Sequence, residues 1–472
     1  MNVRVRFPPS PTGPLHMGNV RTLLFNFLFA KKEGGVCILR VEDTDKERSK
    51  KEWEQDIIEN LQWLGITWDE GPYRQSERTE IYKKYLEKLL KENKAYWCFC
   101  SEDILETVRQ EQQSRGEAPR YPGICREIPT KEQEDRIANG EKGVVRFIVE
   151  PKKVSFTDLI RGEIVFDMAL SGDIVIAKDM ETPLYNFTAA VDDREMRITH
   201  VIRGEDHITN TPKQILLWEA LGFGPAPLYA HLPLIMAEDH TKLSKRHGNN
   251  SVTRYRQEGY LPSAIINFLA LLGWNPGDNR EIFSLQELCK EFSLERVQKS
   301  PAVFSLERLD WINGEYIRVM APDTLLKACA PFLPDTASMN QETLAAIVLL
   351  QKERLKKLSN ITELSEFFFA KKLTYDTAIL PWKGAALKAT KNSLEATLRI
   401  LEGIEENDWN KERLETILMP EARKTGDRGA MLWPLRVALT GKKGSPGPFE
   451  VAAILGKEKS IARVKSAIEK LQ

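Results

Sequence analysis

Two stretches far apart in the chain carry residues suited to handling phosphates. The first is His16-Met17-Gly18-Asn19, which follows a loop broken by proline and glycine, Pro8 to Pro14. It opens a run of apolar residues at helical spacing (Val20, Leu23, Leu24, Phe27, Leu28) that Gly34-Gly35 stops. A helix start offers free N–H groups and the positive end of a dipole, so a ligand phosphate can sit there. Gly18 lets a nucleotide lie close to the backbone. A ring N–H of His16, at the junction of loop and helix, is in reach of a phosphate oxygen. A Pro-rich loop with a chance histidine is the competing reading. The second stretch, His240 to Gly248, is a short cationic loop after the apolar strand Tyr229 to Met236. Its Lys242 and Lys245 are placed to meet a triphosphate, where charge neutralisation is the main catalytic lever. Taken alone, such a charge run is more often a solvated face.

Other chemistry sits where strands end. Val36 to Val41 is almost wholly apolar, as in a parallel sheet covered on both faces, and it runs into Glu42-Asp43-Thr44-Asp45. Carboxylates there point toward a ligand crevice. The competing reading is a cap by Thr44 or Asp45 on a helix from Lys46 to Leu61, and both can hold, with one carboxylate for a substrate ammonium and another for the cap. A second strand, Ile198 to Ile202, ends in Arg203-Gly204-Glu205-Asp206-His207 before a helix from Asn210 to Leu221. Arg203 is a candidate fork for a substrate carboxylate, because a guanidinium binds carboxylate bidentately. A structural pair with Glu205 is the alternative. Asp192-Asp193 reads as a loop or cap. Cys98-x-Cys100, with Cys125 beside the Gly123 turn, suits zinc ligation by thiolates, against three buried cysteines with no metal.

The elements that must position these groups follow from periodicity. Val3 to Phe7 alternates as a strand, and strand, loop and helix together open a nucleotide-binding α/β unit. Ser76 to Asn93 reads as an amphipathic helix. Val144 to Ala177 changes to short strands with turns, an antiparallel insertion apart from the parallel sheet. Leu261 to Leu272 is a helix started by Pro262. Beyond about residue 322 the pattern is helical, as in Leu349 to Phe368 and Ala385 to Leu401. The basic residues Lys352, Arg354, Lys356 and Lys357 face either an RNA or solvent. At 472 residues the chain has room for about three domains. With 68 basic and 68 acidic residues the net charge is zero, so a nucleic-acid surface must be a local patch. No signal peptide is evident, and the longest apolar run, Ile265 to Leu272, is too short to span a bilayer. A cytoplasmic protein is expected, and six cysteines suggest no disulfide framework.

Taken together, HMGN at His16 and KLSKR at Lys242 resemble the signature pair of class I aminoacyl-tRNA synthetases. The surrounding text resembles the bacterial-type glutamyl-tRNA synthetases: PSPTGPLHMGN (Pro9 to Asn19), RVEDTD (Arg40 to Asp45), GPYRQSER (Gly71 to Arg78), PLYNFTAAVDD (Pro183 to Asp193), HVIRGEDHITNTPKQ (His200 to Gln214) and KLSKRHG (Lys242 to Gly248). The motifs stand in the family's order over at least residues 1–320.

The resemblance implies an α/β fold with a Rossmann-like parallel-sheet catalytic domain over 1–94 and 186–240. It places an α+β acceptor-stem-binding insertion over 95–185 and a connector over 241–321 that starts with the KLSKR loop. An all-α anticodon-binding region over 322–472 completes the chain. That helical ending favours the glutamyl branch over glutaminyl enzymes, which end in β-barrels, and over the shorter glutamyl-queuosine tRNA synthetases. A non-catalytic tRNA-binding paralogue is the alternative from another class, disfavoured by the intact His16, Lys242 and Lys245. The implied partners are L-glutamate and tRNA(Glu), with tRNA(Gln) as a further candidate, and the implied state is a monomer. ATP is the implied second substrate, assisted by Mg²⁺. His16, Gly18, Asn19 and Lys245 would bind ATP, with His16, Lys242 and Lys245 catalytic. Arg6, Ser10, Glu42, Tyr185 and Arg203 would bind glutamate. Zn²⁺ would be held by Cys98, Cys100 and Cys125 with a fourth ligand. Relatives use either a tyrosine four residues before the last cysteine, which Tyr121 matches, or a histidine two residues after it, where this chain has Glu127. Pro8 also departs from the family, which has alanine there.

Overall fold

The computed structural model of the protein describes residues 2–243, 250–334 and 339–471. Lys245 lies outside the described residues. The chain divides into two compact units, one of residues 1–257 and 262–312, the other of 258–261 and 313–472.

The first unit begins with β1 (Arg4–Phe7), α1 (Met17–Lys32), β2 (Val36–Val41), α2 (Lys51–Leu64), β3 (Glu70–Arg74) and α3 (Thr79–Lys91). Next come β4 (Ala95–Cys98), α4 (Glu102–Ser114), α5 (Thr130–Ala138), β5 (Val144–Phe147), β6 (Lys153–Asp158), β7 (Gly162–Asp167) and β8 (Ile174–Ala177). Then follow α6 (Tyr185–Glu195), β9 (His200–Gly204), α7 (Thr211–Leu221) and β10 (Leu228–Leu232). Strands β1, β2 and β3 pair in parallel with β2 central. Strands β9 and β10 pair in parallel in a second sheet. The two sheets meet through Thr199: its amide donates to the Arg4 carbonyl (2.9 Å), and the Arg4 amide donates to its hydroxyl (2.8 Å). Helix α1 is pinned over this seam, because Asn26 donates to the Ile202 carbonyl (3.0 Å). The carboxyl ends of β1, β2 and β9 thus open on one side, where ligands bind in open α/β sheets.

Three local expectations change. The strands of residues 144–177 do not stay together. β5 and β8 join β4 in an antiparallel sheet, but the β6–β7 hairpin adds to β10, with Asp158 opposite Tyr229 in parallel register. A short strand's alternation says which face it buries and not which edge it joins. Helix α2 starts at Lys51 rather than Lys46, and neither Thr44 nor Asp45 caps it. Asp45 instead turns back on Arg48, accepting from its amide and its Nε. Asp192 and Asp193 lie inside α6, both buried, rather than in a loop or cap.

The second unit is helical and has no strand among the described residues. Its core gathers Phe367, Phe368, Leu394, Leu414, Leu435 and Val464 from successive helices, as their 3.6-residue periodicity requires. No helix among the described residues is long and apolar enough to cross a membrane.

Candidate active site and metal centre

The strand ends and the start of α1 surround a cleft of about 670 Å³ within the first unit. Its lining brings together Arg6, Ser10, His16, Gly18, Asn19, Glu42, Tyr185, Arg203 and Lys242. Residues from five separate stretches of sequence therefore face one space. The Pro-rich loop is held in place by the Glu42 amide donating to the Pro9 carbonyl (2.9 Å) and the Lys50 amide donating to that of Pro11 (3.0 Å).

At one end lies a buried charge network. Asp193 Oδ1 accepts from Arg6 Nε (3.1 Å) and from Arg40 Nη1 (2.7 Å), and Arg40 Nη2 donates to Glu42 Oε1 (3.0 Å). Two strands and a helix thus share one carboxylate. Burial works against the charge on Arg40, but Asp193, Glu42 and Asp192 outweigh it and its pKa is raised. Burial also works against the Asp193 carboxylate, yet Arg6 and Arg40 hold it below its ordinary value. Glu42 goes the other way: burial raises it, opposed by Arg40 and Arg6. Asp192 fastens the flank, accepting from Gln75, Arg78 and Tyr82, each at 2.8 Å. Arg6 Nη1 is buried and has no partner among the described residues. A cation with an unfilled donor beside a carboxylate is suited to a zwitterion.

Arg203 does not pair with Glu205, which accepts from Arg161 and from the Leu234 amide. Its guanidinium donates instead to His231 Nε2 (3.2 Å), Gln214 Oε1 (2.9 Å), Thr211 Oγ1 (2.8 Å) and the Tyr185 hydroxyl (3.3 Å). Tyr185 in turn bonds His207 Nδ1 (3.1 Å). Burial and the Arg203 cation push His207 down to about 4, so it is neutral at pH 7. Burial raises the Tyr185 phenol, which keeps its proton.

The other end of the cleft is built by the start of α1. His16 has extended backbone at the helix N-cap position, and its carbonyl accepts from the Val20 amide (3.1 Å). The following turn is tied down by the Met17 amide donating to the Asn250 carbonyl (3.1 Å). A Cβ on Gly18 would stand 3.2 Å from His16 Nδ1, so glycine leaves room for the ring beside the helix start. Lys242 is exposed and meets Asp206 at 3.6 Å, a solvated pair of little strength that a phosphate can displace. Arg21, also lining the cleft, donates to the carbonyls of Pro233 and Leu272. Burial lowers it to about 10, against the pull of Glu205 and Asp206, and it stays charged.

The three cysteines converge as their spacing suggested. Their sulfurs all lie within 4.8 Å of one another, with Cys100 and Cys125 at 3.5 Å. The Tyr121 hydroxyl is 3.4 Å from the Cys98 sulfur and 3.5 Å from that of Cys100. Donors about 2.3 Å from a tetrahedral ion stand about 3.7 Å apart, so these four form a set of suitable size. Glu127 is exposed and outside this group. In the helical unit, Lys352 donates to the Met320 carbonyl, Lys357 pairs with Glu258, and Arg354 donates to Gly444, while Lys356 is exposed.

Several of these residues carried no signal in the sequence reading. Arg40 had one available: a cation inside the otherwise apolar VCILRV strand must find buried anions. Asp193, Asp158 and His231 had none, since their partners come from distant segments.

The sequence profile of the catalytic domain of tRNA synthetases class I (E and Q) matches residues 2–311, and that of an anticodon binding domain matches residues 324–468. The chain is 43% identical to the glutamate–tRNA ligase of Carboxydothermus hydrogenoformans, over 98% of this chain and 99% of that one. It is 44% identical to that of Heliobacterium modesticaldum, over 99% and 97%. Its structure is similar to the crystal structure of a glutamate tRNA ligase from Elizabethkingia meningosepticum in complex with its amino acid, with a TM-score of 0.89 and 35% identity over the whole of both chains. Matches of this extent, laid over a cleft of this composition, place the chain in the glutamate–tRNA ligase family of class I tRNA synthetases, enzymes for which ATP is a substrate.

Proposed function

We propose that this protein charges tRNA(Glu) with L-glutamate at the expense of ATP, in the cytoplasm. The observation that carries this is one cleft whose lining joins Arg6, Glu42, Tyr185 and Arg203 to His16, Gly18 and Lys242. We assign the first group to the amino acid and the second to the phosphates. Glutamate lies with its side-chain carboxylate toward Arg203 and its ammonium toward Glu42, with Arg6, Ser10 and Tyr185 completing the pocket. Its α-carboxylate attacks the α-phosphorus of ATP, forming glutamyl-adenylate and releasing pyrophosphate. The terminal ribose hydroxyl of tRNA then attacks the adenylate carbonyl and releases AMP. No enzyme nucleophile is needed; positioning and charge stabilisation do the catalysis. His16, with the backbone at Gly18 and Asn19, contacts the triphosphate, and Lys242 and Lys245 stabilise the departing pyrophosphate. Mg²⁺ bound with ATP supplies further neutralisation of the phosphates.

Residues 95–185 contact the acceptor stem and residues 322–472 the anticodon in this reading, with 241–321 as the connector. Zn²⁺ fits the donor set of Cys98, Cys100, Cys125 and Tyr121, since three soft thiols and a phenol converge at tetrahedral spacing. There it would fasten the segment after β4 to the one holding Cys125.

The test is aminoacylation with labelled glutamate, ATP and Mg²⁺ on separate tRNA(Glu) and tRNA(Gln) transcripts. Charging of tRNA(Glu) is expected, with little pyrophosphate exchange when tRNA is left out. Charging of tRNA(Gln) as well would mark relaxed specificity. RNA binding with no charging of either would reject the proposal. His16→Ala is expected to lower turnover about 100-fold or more while leaving tRNA affinity near wild type; equal losses in both would remove His16 from its assigned role.

A further inference from the structure

Below the amino-acid end of the cleft, a buried chain of side chains runs from the β6–β7 hairpin to Arg203. Asp158 closes β6 and accepts four hydrogen bonds. Its Oδ1 takes the amides of Ile160 (2.9 Å) and Arg161 (2.8 Å), and its Oδ2 takes the His231 amide (3.0 Å) and His231 Nδ1 (2.6 Å). Both side chains are wholly buried. Burial works against the Asp158 carboxylate, but His231 and the two amides hold its pKa below the ordinary value, so it is ionised. Burial and the Arg203 cation lower the His231 pKa against the pull of Asp158, so the ring carries a single proton. An ionised carboxylate can only accept, which puts that proton on Nδ1 and leaves Nε2 as an acceptor. Nε2 is then able to take the Arg203 Nε–H at 3.2 Å, with the Thr211 hydroxyl on the same nitrogen at 3.1 Å.

The consequence is electrostatic. Arg203 is only 4% exposed, yet its four hydrogen-bond partners, His231, Gln214, Thr211 and Tyr185, are all neutral. No carboxylate forms an ion pair with it among the described residues. Arg40, on β2 of the other sheet, is by contrast paired with Asp193 and Glu42. A buried cation that is oriented but not neutralised is poised for an anion from outside.

We propose that His231, fixed in its Nδ1–H tautomer by Asp158, is a positioning and specificity-determining residue: it orients Arg203 through a neutral nitrogen and so reserves the guanidinium charge for the substrate's side-chain carboxylate. This rests on the reading above that Arg203 meets that carboxylate. The α-carboxylate has to remain free to attack ATP, so a dedicated cation suits the side chain. A carboxylate in place of His231 Nε2 or Gln214 Oε1 would orient Arg203 equally well but spend its charge, and the preference for glutamate over glutamine would fall.

Aminoacylation of tRNA(Glu) by the full-length enzyme tests this, with KM measured separately for glutamate, ATP and tRNA and with glutamine as competitor. His231→Asn keeps a donor toward Asp158 and loses the acceptor for Arg203. Its glutamate KM is expected to rise on the order of 10–100-fold, with the other two KM values within about 2-fold. His231→Gln keeps an acceptor toward Arg203 and is expected to stay within about 3-fold of wild type. Asp158→Asn, which frees the ring to present an N–H to Arg203, is expected to match His231→Asn. Gln214→Glu, close to isosteric, is expected to raise the glutamate KM and strengthen inhibition by glutamine. The inference falls if His231→Asn and Gln214→Glu leave the glutamate KM at wild type, or if they raise all three KM values alike. Arg203→Gln separates the two levels. If it raises the glutamate KM while the His231 and Gln214 variants do not, only this inference is lost. If it changes nothing, the reading of Arg203 is lost and the inference with it. Melting curves identify any variant that fails to fold, and the near-isosteric Gln214→Glu then decides.

Discussion

In the catalytic unit Arg6 and Arg40 reach one carboxylate, Asp193, from two different strands. In the helical unit Arg463 is also buried, but it donates to the carbonyls of Leu439, Phe367 and Ala370, and it has no ion pair among the described residues. Those carbonyls close the ends of two helices, where backbone acceptors lack intrahelical partners and the dipole favours a cation. The same residue type therefore has two uses. In the helical unit it fastens the packing of an apolar core whose shape its own helices decide. In the cleft, opposed charges are taken out of water and held at fixed angles, an arrangement that is costly to bury and that fixes geometry more than it adds stability. The cleft is built for a ligand, and the helical core is built to persist.

The largest expected break in that contrast comes from Asp193→Ala, which leaves two buried cations sharing Glu42 and Asp192. A loss of about 3–5 kcal/mol is expected in denaturant unfolding, together with loss of glutamate charging. An unchanged midpoint would mean that the network does not hold the cleft. Arg463→Met should cost less, about 1.5–3 kcal/mol, because uncharged acceptors are left behind rather than charges. Its glutamate KM should stay at wild type; a raised KM would show that the two regions are not independent in this way.

The pH profile sharpens the cleft side. Burial raises the pKa of Glu42, opposed by Arg40 and Arg6. Its ionised form, needed for the glutamate ammonium, is therefore lost at a higher pH than an ordinary carboxylate would require. kcat/KM for glutamate should fall on the acid side at a higher pH than an ordinary carboxylate would give, and Arg40→Gln should move that limb higher still. The sign for folding is opposite. The folded chain holds this proton longer than the unfolded one, so Glu42 contributes less to stability as the pH rises through the same window. An Arg40→Gln limb at the wild-type position would reject the assignment.

Smaller effects are expected away from both cores. Cys100→Ser should reduce bound zinc, read by elemental analysis of the purified protein, from about one per chain toward none. Glu127→Gln should change nothing, and equal zinc loss in both would displace Tyr121 from the ligand set. Lys356→Ala, on an exposed side chain, should stay within about 0.5 kcal/mol in stability. It should weaken tRNA binding slightly and uniformly, with a shallower salt dependence.

The sequence by itself determined most of the secondary elements and the separate parts of the site. Strand β1, helix α1 and strand β2 were legible because their periodicities are local, and proline and glycine mark the breaks between them. Cys98 and Cys100 were legible as a ligand pair because their spacing is local, and Cys125 because it stands beside the Gly123 turn. The helical C-terminal unit was legible from its 3.6-residue pattern. Tertiary structure alone decided what the charges do. Asp192 and Asp193 read as a loop or cap until Arg6, Arg40 and Arg78 are brought around them. Arg203, read as a fork for a substrate carboxylate with a Glu205 pair as the alternative, turns out to be held by His231 instead of Glu205. Asp158 and His231 stand 73 residues apart and meet because the β6–β7 hairpin joins the edge of β10. A strand's own residues set its faces, but the edge it joins depends on what the rest of the chain has left unpaired. Charge pairing follows from that choice, so it was not written in any local stretch.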